Sequence, residues 1–402
     1  MTSTSDERRI TTALFAAGLT TFASMYSAQA LLPSLSAAFG VAPAQAALAV
    51  SLTTGFLAVA IVPVSALSAR IGRTTVMTWS AVVSAVIGLL LPLSPSLEVL
   101  LAGRALQGVA LAGVPAVAMA YLAEEIGGDG LGAAMGVYVA GTSIGGLSGR
   151  LIPAFALDLT SWRWAEAAIG MAAAGCTVWF VRGLPPSRGF VARPAGMRTV
   201  LSDIGAPLRH GGLSALFGLA FVLVGGFVSI YNFLGYRLTR PPFELPAAVA
   251  GSVFLLYLAG TLASAAAGRW ADRIGKHRAL AASVALMGVG VLVSIPDQLI
   301  AVILGITLCT AGFFGAHAVA STWVGTIAPG GAASSLYLFT YYLGSAIIGG
   351  TAGIAYAKGG WVGLAACVGA LLAVAAVLVW YLAIHARRGF ETASLVCAAP
   401  TA

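Results

Sequence analysis

Residues 268–278 read Gly-Arg-Trp-Ala-Asp-Arg-Ile-Gly-Lys-His-Arg, and the centre of this stretch occurs twice in the chain. Ala-Arg-Ile-Gly-Arg at 69–73 lies 203 positions before Asp-Arg-Ile-Gly-Lys at 272–276, about half of the 402 residues. The same offset relates further pairs: Tyr138 and Tyr341, Gly141 and Gly344, Gly146 and Gly349. A single parallel repeat with matching basic loops predicts a membrane transporter that arose by duplication.

The composition places most of the protein surface in lipid. Charged residues make up 8% of the chain, hydrophobic residues 59%, and the mean hydropathy is +0.96, whereas a soluble domain carries about 25% charged residues. The four cysteines are isolated and the four histidines are not clustered, so the sequence predicts no metal site and no cofactor. The formal net charge of +8 does not indicate nucleic-acid binding, because its placement matters more than its sum.

Twelve apolar runs reach the roughly 20 residues that a helix needs to cross a bilayer. Breaks that contain Pro, Gly or charged residues separate them. The predicted spans, numbered helix 1 to helix 12, are 11–32, 45–67, 74–94, 97–121, 131–155, 163–182, 213–236, 247–269, 279–296, 299–323, 334–356 and 361–385. The predicted fold class is therefore all-α integral membrane.

The longest interruption, 183–212, is rich in arginine and proline and predicts a linker between two halves of six helices. The expected organisation is an N-terminal six-helix bundle (1–182), a cytoplasmic linker (183–212), a C-terminal six-helix bundle (213–388) and a cytoplasmic tail (389–402). With the N-terminus inside, 15 of the 21 Lys and Arg residues fall on the inner side and four on the outer side. Both termini are therefore expected in the cytoplasm.

Three motifs resemble those of the major facilitator superfamily. The stretch 268–278 resembles the loop motif G-x-L-a-D-R-x-G-R-R, and its first-half copy carries Ser65 for the leading Gly and Ala69 for the acid. Arg-Ala-Leu-Gln-Gly at 104–108 is similar to the family's R-x-x-Q-G in helix 4. The glycines of helix 5 follow the antiporter spacing G-x8-G-x3-G, with Gly146 where that motif has Pro.

Together with 312–317 and 334–342, these strings resemble the drug- and sugar-efflux branch of the bacterial inner membrane over essentially the whole chain. The resemblance implies two pseudo-symmetric six-helix bundles that rock around a central site. It implies export of a drug-like molecule, sugar or metabolite in exchange for protons. The expected partners are this small-molecule substrate, protons and the lipid bilayer, without nucleic acid, and the chain is taken to be a monomer.

In this family helices 1, 4, 7 and 10 line the cavity, and helix 11 adds an aromatic surface. The candidate substrate-binding residues on these helices are Tyr26, Gln29, Arg104, Gln107, Tyr231, Asn232, Tyr236, His317, Ser321 and Tyr341. Gln29 and Asn232 lie at the same 203-residue offset, which puts two amides at equivalent positions of the halves. Aromatic rings with a few polar groups are typical of a site for a small, partly apolar or sugar-like molecule.

Three residues are candidates for proton coupling: Arg104, His317 and Glu166. Arg104 lies about 10 Å along helix 4, where a charge usually faces a bundle interior or a water cavity. It either gates protons, binds an anion or packs against carbonyl groups. His317 is a proton acceptor or a hydrogen-bonded packing residue. Glu166 begins helix 6, which in this family more often faces lipid or scaffold.

The repeated loops are expected to act as conformational latches between the halves. Their residues are Arg70, Gly72 and Arg73 in the first half and Asp272, Arg273, Gly275 and Lys276 in the second. Asp272 is expected to cap the start of helix 5 near Gly130 to Gly132, a favourable position for a carboxylate. Ala69 cannot do the same in the first half, so the two latches are expected to be unequal.

Helix 5 is expected to press its small residues against a neighbouring helix. This seam comprises Gly132, Gly141, Gly145, Gly146 and Gly149, followed by Arg150. The antiporter-like spacing favours export, with an uptake symporter or facilitator of the same fold as the alternative. An integral-membrane enzyme or a channel is a distant alternative, since the sequence carries no HExxH, CxxC or P-loop pattern. The chain is therefore not expected to be an enzyme.

Overall fold

The computed structural model describes residues 4–126, 130–185, 187, 205, 207–328 and 331–386, and these residues form an almost entirely helical protein. Most of the expected linker and tail therefore lies outside the described residues. The long helices are α1 (Thr4–Phe39), α2 (Pro43–Ile71), α3 (Arg73–Leu93, its last turn 3-10), α4 (Leu97–Glu125), α5 (Leu131–Leu157), α6 (Trp162–Gly183), α7 (Gly211–Leu238), α8 (Ala247–Ile274), α9 (Lys276–Val293), α10 (Leu299–Ile327), α11 (331–358) and α12 (361–386).

Eleven of the twelve predicted spans correspond to described helices that are long and apolar enough to cross a membrane, and α1 is not among these helices. Ten continuous helical segments in the described part of the chain are long and apolar enough to cross a membrane, and the last of them holds both α11 and α12. Gly359 (φ −132°) and Gly360 (φ 56°, ψ −143°) leave the helical region and separate that segment into two helices. The all-α membrane fold and the break before residue 361 are confirmed, and α1 begins earlier than expected, at Thr4.

The two repeated loops make the same turn. Gly72 (φ 103°) ends α2 and Gly275 (φ 90°) ends α8, and each next helix begins at the following residue. The Gly72 N–H donates to Ser68 O and the Gly275 N–H to Ala271 O, both at 3.1 Å. A residue with a side chain rarely adopts this backbone conformation, which explains why Gly is kept in both copies. We call the side of the molecule that holds these turns the loop side and the opposite side the far side.

The seam between α1 and α5 depends on three of the expected glycines. A Cβ at Gly141, Gly145 or Gly149 would overlap backbone atoms of α1. Gly132 has no neighbour within 4 Å of such a Cβ, and Gly146 meets only the Arg150 side chain. The seam therefore involves three of the five expected glycines, because only positions one helical turn apart face α1.

The two bundles meet most closely at the far side. Gln29 Nε2 donates to Asn232 Oδ1 at 2.7 Å, so the two amides at equivalent positions bind each other across the interface. Tyr236 Oη donates to Leu32 O at 2.7 Å. At mid-depth Ser345 Oγ lies 3.4 Å from Thr54 Oγ1. Among the described residues, the hydrogen bonds between bundles lie at these two levels and none lies at the loop side.

Candidate functional site

A central cavity of about 300 Å³ lies between the bundles, below the far-side contacts. Helices α1 and α5 form one wall and α7, α8, α10 and α11 form the other, so both bundles share it. Arg150 and His317 are its basic side chains, and none of its described lining residues is acidic. Aromatic rings cover much of the remaining wall: Phe22, Tyr26, Phe227, Tyr257, Phe313, Phe314 and Tyr341.

Arg150 belongs to this cavity more than to the helix seam. Its side chain is 3% exposed, with Nε donating to Gln29 Oε1 at 2.6 Å and Nη1 to Gly146 O at 2.7 Å. The guanidinium carbon lies 4.0 Å from the ring centre of Tyr26 and 4.7 Å from that of Tyr257 on the other bundle. No described carboxylate pairs with it. Its positive charge is therefore held by amide, carbonyl and aromatic groups alone.

His317 lies opposite Arg150 in an aromatic cluster of the second bundle. Its Nδ1 is 3.0 Å from Tyr337 Oη, and its ring stacks on Phe313 with 6.0 Å between centres and 13° between planes. Tyr341 lies 5.0 Å away, centre to centre. His317 and Tyr341 thus line the cavity, and three aromatic rings pack around the imidazole.

Arg104 and Glu166 form an ion pair inside the first bundle. Arg104 Nη2 lies 2.7 Å from Glu166 Oε1, and the side chains are 1% and 3% exposed. Nη2 also donates to Ser27 Oγ at 2.9 Å, and Nη1 donates to Ser24 O at 3.2 Å and Gln107 Oε1 at 3.0 Å. Within the described part of the chain, Glu166 Oε2 and Arg104 Nε have no hydrogen-bond partner.

This placement corrects the expectation that Arg104 and Gln107 line the cavity. Gln107 Nε2 donates to Ser84 O at 3.2 Å, so its amide joins α4 to α3. Glu166 is buried, and α6 faces the bundle interior at that position rather than lipid. A guanidinium at membrane depth is stabilised by a carboxylate and hydrogen-bond acceptors, and α6 and α1 provide both.

The other expected cavity residues lie at the far side or away from the cavities. Gln29 and Tyr231 line a second cavity of about 310 Å³ near the far side. Asn232 and Tyr236 are buried in the contact between bundles. Ser321 Oγ donates to Ala318 O within its own helix and lines neither cavity. Asn232 and Tyr236 of α7 therefore stabilise the bundle contact, while Tyr231 faces the second cavity.

Two of the expected latch residues make side-chain contacts within their own bundle. Arg73 Nη2 lies 3.1 Å from Glu124 Oε1, and Lys276 Nζ donates to Thr326 Oγ1 at 2.8 Å. These contacts join α3 to α4 and α9 to α10. The Arg70, Arg273 and Asp272 side chains are exposed, and Asp272 makes no hydrogen bond with a described residue. Among the described residues, the expected cap of helix 5 by Asp272 does not form, and no hydrogen bond joins the loop-side ends of the two bundles.

A cap of the kind expected at Asp272 forms on the far side instead. The carboxylate of Asp158, at the end of α5, accepts from Ala247 N at 2.8 Å and Ala248 N at 3.1 Å. These are the first amides of α8, in the other bundle. Beside it, Ala154 of α5 lies so close to Gly251 of α8 that a Cβ there would overlap it. Sequence reasoning misses Asp158, since an acid at a helix end is usually solvated.

Comparison of the sequence with protein families gives one match, the Major Facilitator Superfamily, over residues 14–263. The inner membrane transport protein YnfM of Escherichia coli is 42% identical over 371 residues, covering 91% of this chain and 88% of that protein. The uncharacterized MFS-type transporter YybF of Bacillus subtilis is 39% identical over 378 residues, covering 94% of each chain.

Solved structures of transporters share the fold at low sequence identity. A bacterial homologue of the human lysosomal transporter Spinster, in an inward-facing and occupied conformation, superposes with a TM-score of 0.75. That match is 13% identical and covers 96% of this chain and 98% of the other. The nucleoside transporter NupG gives the same score and identity over 93% of this chain and 99% of its own. These likenesses concern the architecture alone.

Proposed function

The chain belongs to the major facilitator superfamily and is a multi-pass membrane transporter, and we propose that it exports a small molecule across the bacterial inner membrane in exchange for protons. The observation that carries this proposal is the central cavity, which both bundles share and which far-side contacts cover. A site between two bundles that are joined at one end suits alternating access.

The basic loops give the proposed orientation. Most Lys and Arg residues of the short loops lie on the loop side, so we place that side and both termini in the cytoplasm. The cavity is then closed toward the outside by Asp158, Gln29 and their partners in the second bundle. This corresponds to an inward-facing state, from which an exporter takes up its substrate.

Proton coupling is assigned to Glu166 with Arg104 as its partner. Protonation of Glu166 removes the negative charge that compensates the buried guanidinium, which favours rearrangement around Arg104. Helix α1 connects this pair to the cavity, because Ser24 and Ser27 contact Arg104 while Tyr26 lines the cavity. His317 is the second candidate carrier, since it lines the cavity directly.

Proton flux in proteoliposomes tests the proposal. The purified protein is reconstituted with a pH-sensitive dye inside and given labelled anions, sugars, neutral drugs and lipophilic cations. We expect one compound class to move against a proton flux, and Glu166→Gln to abolish that flux. Glu124→Gln is the matched control, because it removes a carboxylate from a partly exposed ion pair. Substrate and protons moving in the same direction would indicate a symporter, and substrate flux without proton flux would indicate a facilitator.

A further inference from the structure

We propose that the central cavity binds an organic carboxylate with an aromatic or similarly flat apolar body, and that Arg150 binds the carboxylate. This inference deepens the proposed function, since it names the substrate class of the same cavity. It rests on a charge that the protein leaves uncompensated beside an aromatic wall.

Arg150 differs from the other buried arginines in the described part of the chain. Three arginine side chains are buried: Arg104, Arg150 and Arg237. Arg104 pairs with Glu166 at 2.7 Å and Arg237 with Asp297 at 3.0 Å. Arg150 has no described carboxylate partner, although a charge inside the bilayer is costly and is usually paired. An anion from outside the protein would supply the missing charge.

The guanidinium retains a free donor edge at the cavity. Nε and Nη1 are held by Gln29 and Gly146, which fixes the orientation of the group. Nη2 donates to no described residue. The fully buried side-chain nitrogen and oxygen atoms without a partner are known, and Nη2 is not one of them, so it is not fully buried. It is therefore accessible from the cavity that Arg150 lines. A fixed guanidinium with a free N–H suits a carboxylate, which forms short charge-assisted hydrogen bonds with it.

The rest of the cavity selects for a flat apolar body. Phe227 and Phe313 stack with 4.0 Å between ring centres and 7° between planes. Phe314 meets Phe313 edge to face at 5.5 Å. Aromatic faces and edges arranged in this way favour a further ring by stacked or edge-to-face contact. A volume of about 300 Å³ lies at the lower end of the range for small-molecule sites, so we expect a ligand of one or two rings.

The same charge excludes cations. The described lining carries two basic side chains, Arg150 and His317, and no acid. A lipophilic cation would place a like charge beside a buried guanidinium without a carboxylate to offset it. The inference therefore predicts that cationic compounds are rejected.

Three probes of one shape and different charge test the inference with the full chain in detergent. We would measure binding of 2-naphthoate, 2-naphthamide and 2-naphthylmethylammonium by isothermal calorimetry. We expect 2-naphthoate to bind at least about tenfold more tightly than the amide, a difference of about 1.4 kcal/mol, and the ammonium compound not to bind. Equal affinity for the acid and the amide, or no binding of the carboxylate, would overturn the inference.

Variants locate the charge effect. Arg150→Gln should remove the preference for the carboxylate over the amide, and Arg150→Lys should keep the preference at lower affinity. Arg269→Gln is the matched control, since it removes the same charge from an exposed position. If Arg150→Gln does not give a monodisperse protein, the affinities of the three probes for the wild-type protein and for Arg150→Lys still test the inference. A preference for the acid that survives in a folded Arg150→Gln protein would overturn the assignment to Arg150.

The outcomes separate this inference from the proposed function. Binding of 2-naphthoate without transport of any compound of the panel in proteoliposomes would contradict export and leave the anion site intact. Transport of a neutral or cationic compound, unaffected by Arg150→Gln, would contradict the anion site and leave the transporter intact.

Discussion

The seam between α1 and α5 and the seam between α7 and α11 lie at equivalent places in the two bundles. They pack alike at Gly141 and its equivalent Gly344, whose added Cβ would overlap the neighbouring backbone in both, but one turn further along they pack in opposite ways. In the first, a Cβ at Gly145 of α5 would overlap the backbone of Leu19. In the second, 203 positions later, Ile348 of α11 packs its side chain against Gly225 of α7. Duplication therefore preserves the close approach of two helices, while either helix can supply the small residue.

The two bundles also differ in their buried polar groups. Arg104 and Glu166 correspond at the 203-residue offset to Thr307 and Gly369, so the second bundle has no counterpart of the ion pair. It contains aromatic rings and the neutral Tyr231–Thr310 hydrogen bond of 2.7 Å. For the central cavity, the first half supplies the Arg150 guanidinium and the second half supplies most of the aromatic rings. The central cavity, between Arg150 and the phenylalanines of α7 and α10, uses both.

Breaking the ion pair of the first bundle should have the largest effect. Glu166→Ala leaves the Arg104 guanidinium buried without a counter-charge, and we expect a loss of about 3–5 kcal/mol in free energy of unfolding. Replacing both residues with Leu should cost less than Glu166→Ala alone, because no charge then remains buried. Chemical denaturation in micelles measures both.

Glu124→Ala is the control for that experiment, because its ion pair with Arg73 is partly exposed and worth about 0–1 kcal/mol. Equal losses for Glu166→Ala and Glu124→Ala would show that the buried pair contributes no more than a surface pair.

The seam of the first bundle should be the next most sensitive. Gly145→Ala places a Cβ against backbone atoms that cannot move independently, so we expect a loss of about 1–3 kcal/mol. Gly132→Ala on the same helix has free space and should change stability little. Thermal unfolding of the purified variants compares them. Similar melting temperatures for the two variants would contradict the close packing of α5 on α1.

The seam of the second bundle should respond to a paired change. Gly225→Ala would meet the Ile348 side chain, so Gly225→Ala with Ile348→Gly should lose less than the sum of the two single changes, by about 0.5–3 kcal/mol. In the first seam, Gly145→Ala with Leu19→Ala should be additive, because the Leu19 backbone is the obstacle. Double-mutant cycles on both seams measure the coupling free energy of each pair. Equal coupling free energies would contradict the proposed difference in packing between the two seams.

The capping of equivalent helices at the far side also differs between the two halves. Asp158 caps α8 across the interface, whereas the equivalent helix α2 is capped by its own Gln45, whose Oε1 accepts from Ala42 N at 3.0 Å. We expect Asp158→Ala to weaken far-side closure by about 1 kcal/mol, roughly a fivefold shift toward far-side opening. Pulsed EPR distances between labels on the α5–α6 and α7–α8 loops measure the shift.

Gln45→Ala is the matched control, since it removes a cap without touching the interface. Unchanged distances in Asp158→Ala, or an equal change in Gln45→Ala, would show that the Asp158 cap does not control closure.

The sequence predicts local features of this protein better than pairings between distant residues. Eleven of the twelve spans and the turns at Gly72 and Gly275 follow from hydropathy and backbone freedom, which are local. The Arg104–Glu166 pair joins residues 62 positions apart, and nothing in either helix alone tells which faces meet. Asp158 and Asp272 are both acids near helix ends. Their different surroundings depend on which side of the molecule is closed.

The smallest effect is expected at the neutral hydrogen bond of the second bundle. Tyr231→Phe removes the bond to Thr310 but keeps the ring that stacks on Phe254 with 5.5 Å between centres. Hydrogen bonds between membrane helices contribute about 0.6 kcal/mol on average, so the loss in free energy of unfolding should be of that order. Since Tyr231 lines the far-side cavity and not the central one, carboxylate binding should be unchanged. The same denaturation assay could give a loss as large as that of Glu166→Ala. The second bundle would then depend on buried polar contacts as strongly as the first. The two halves would differ in residue type but not in the energy that these contacts contribute.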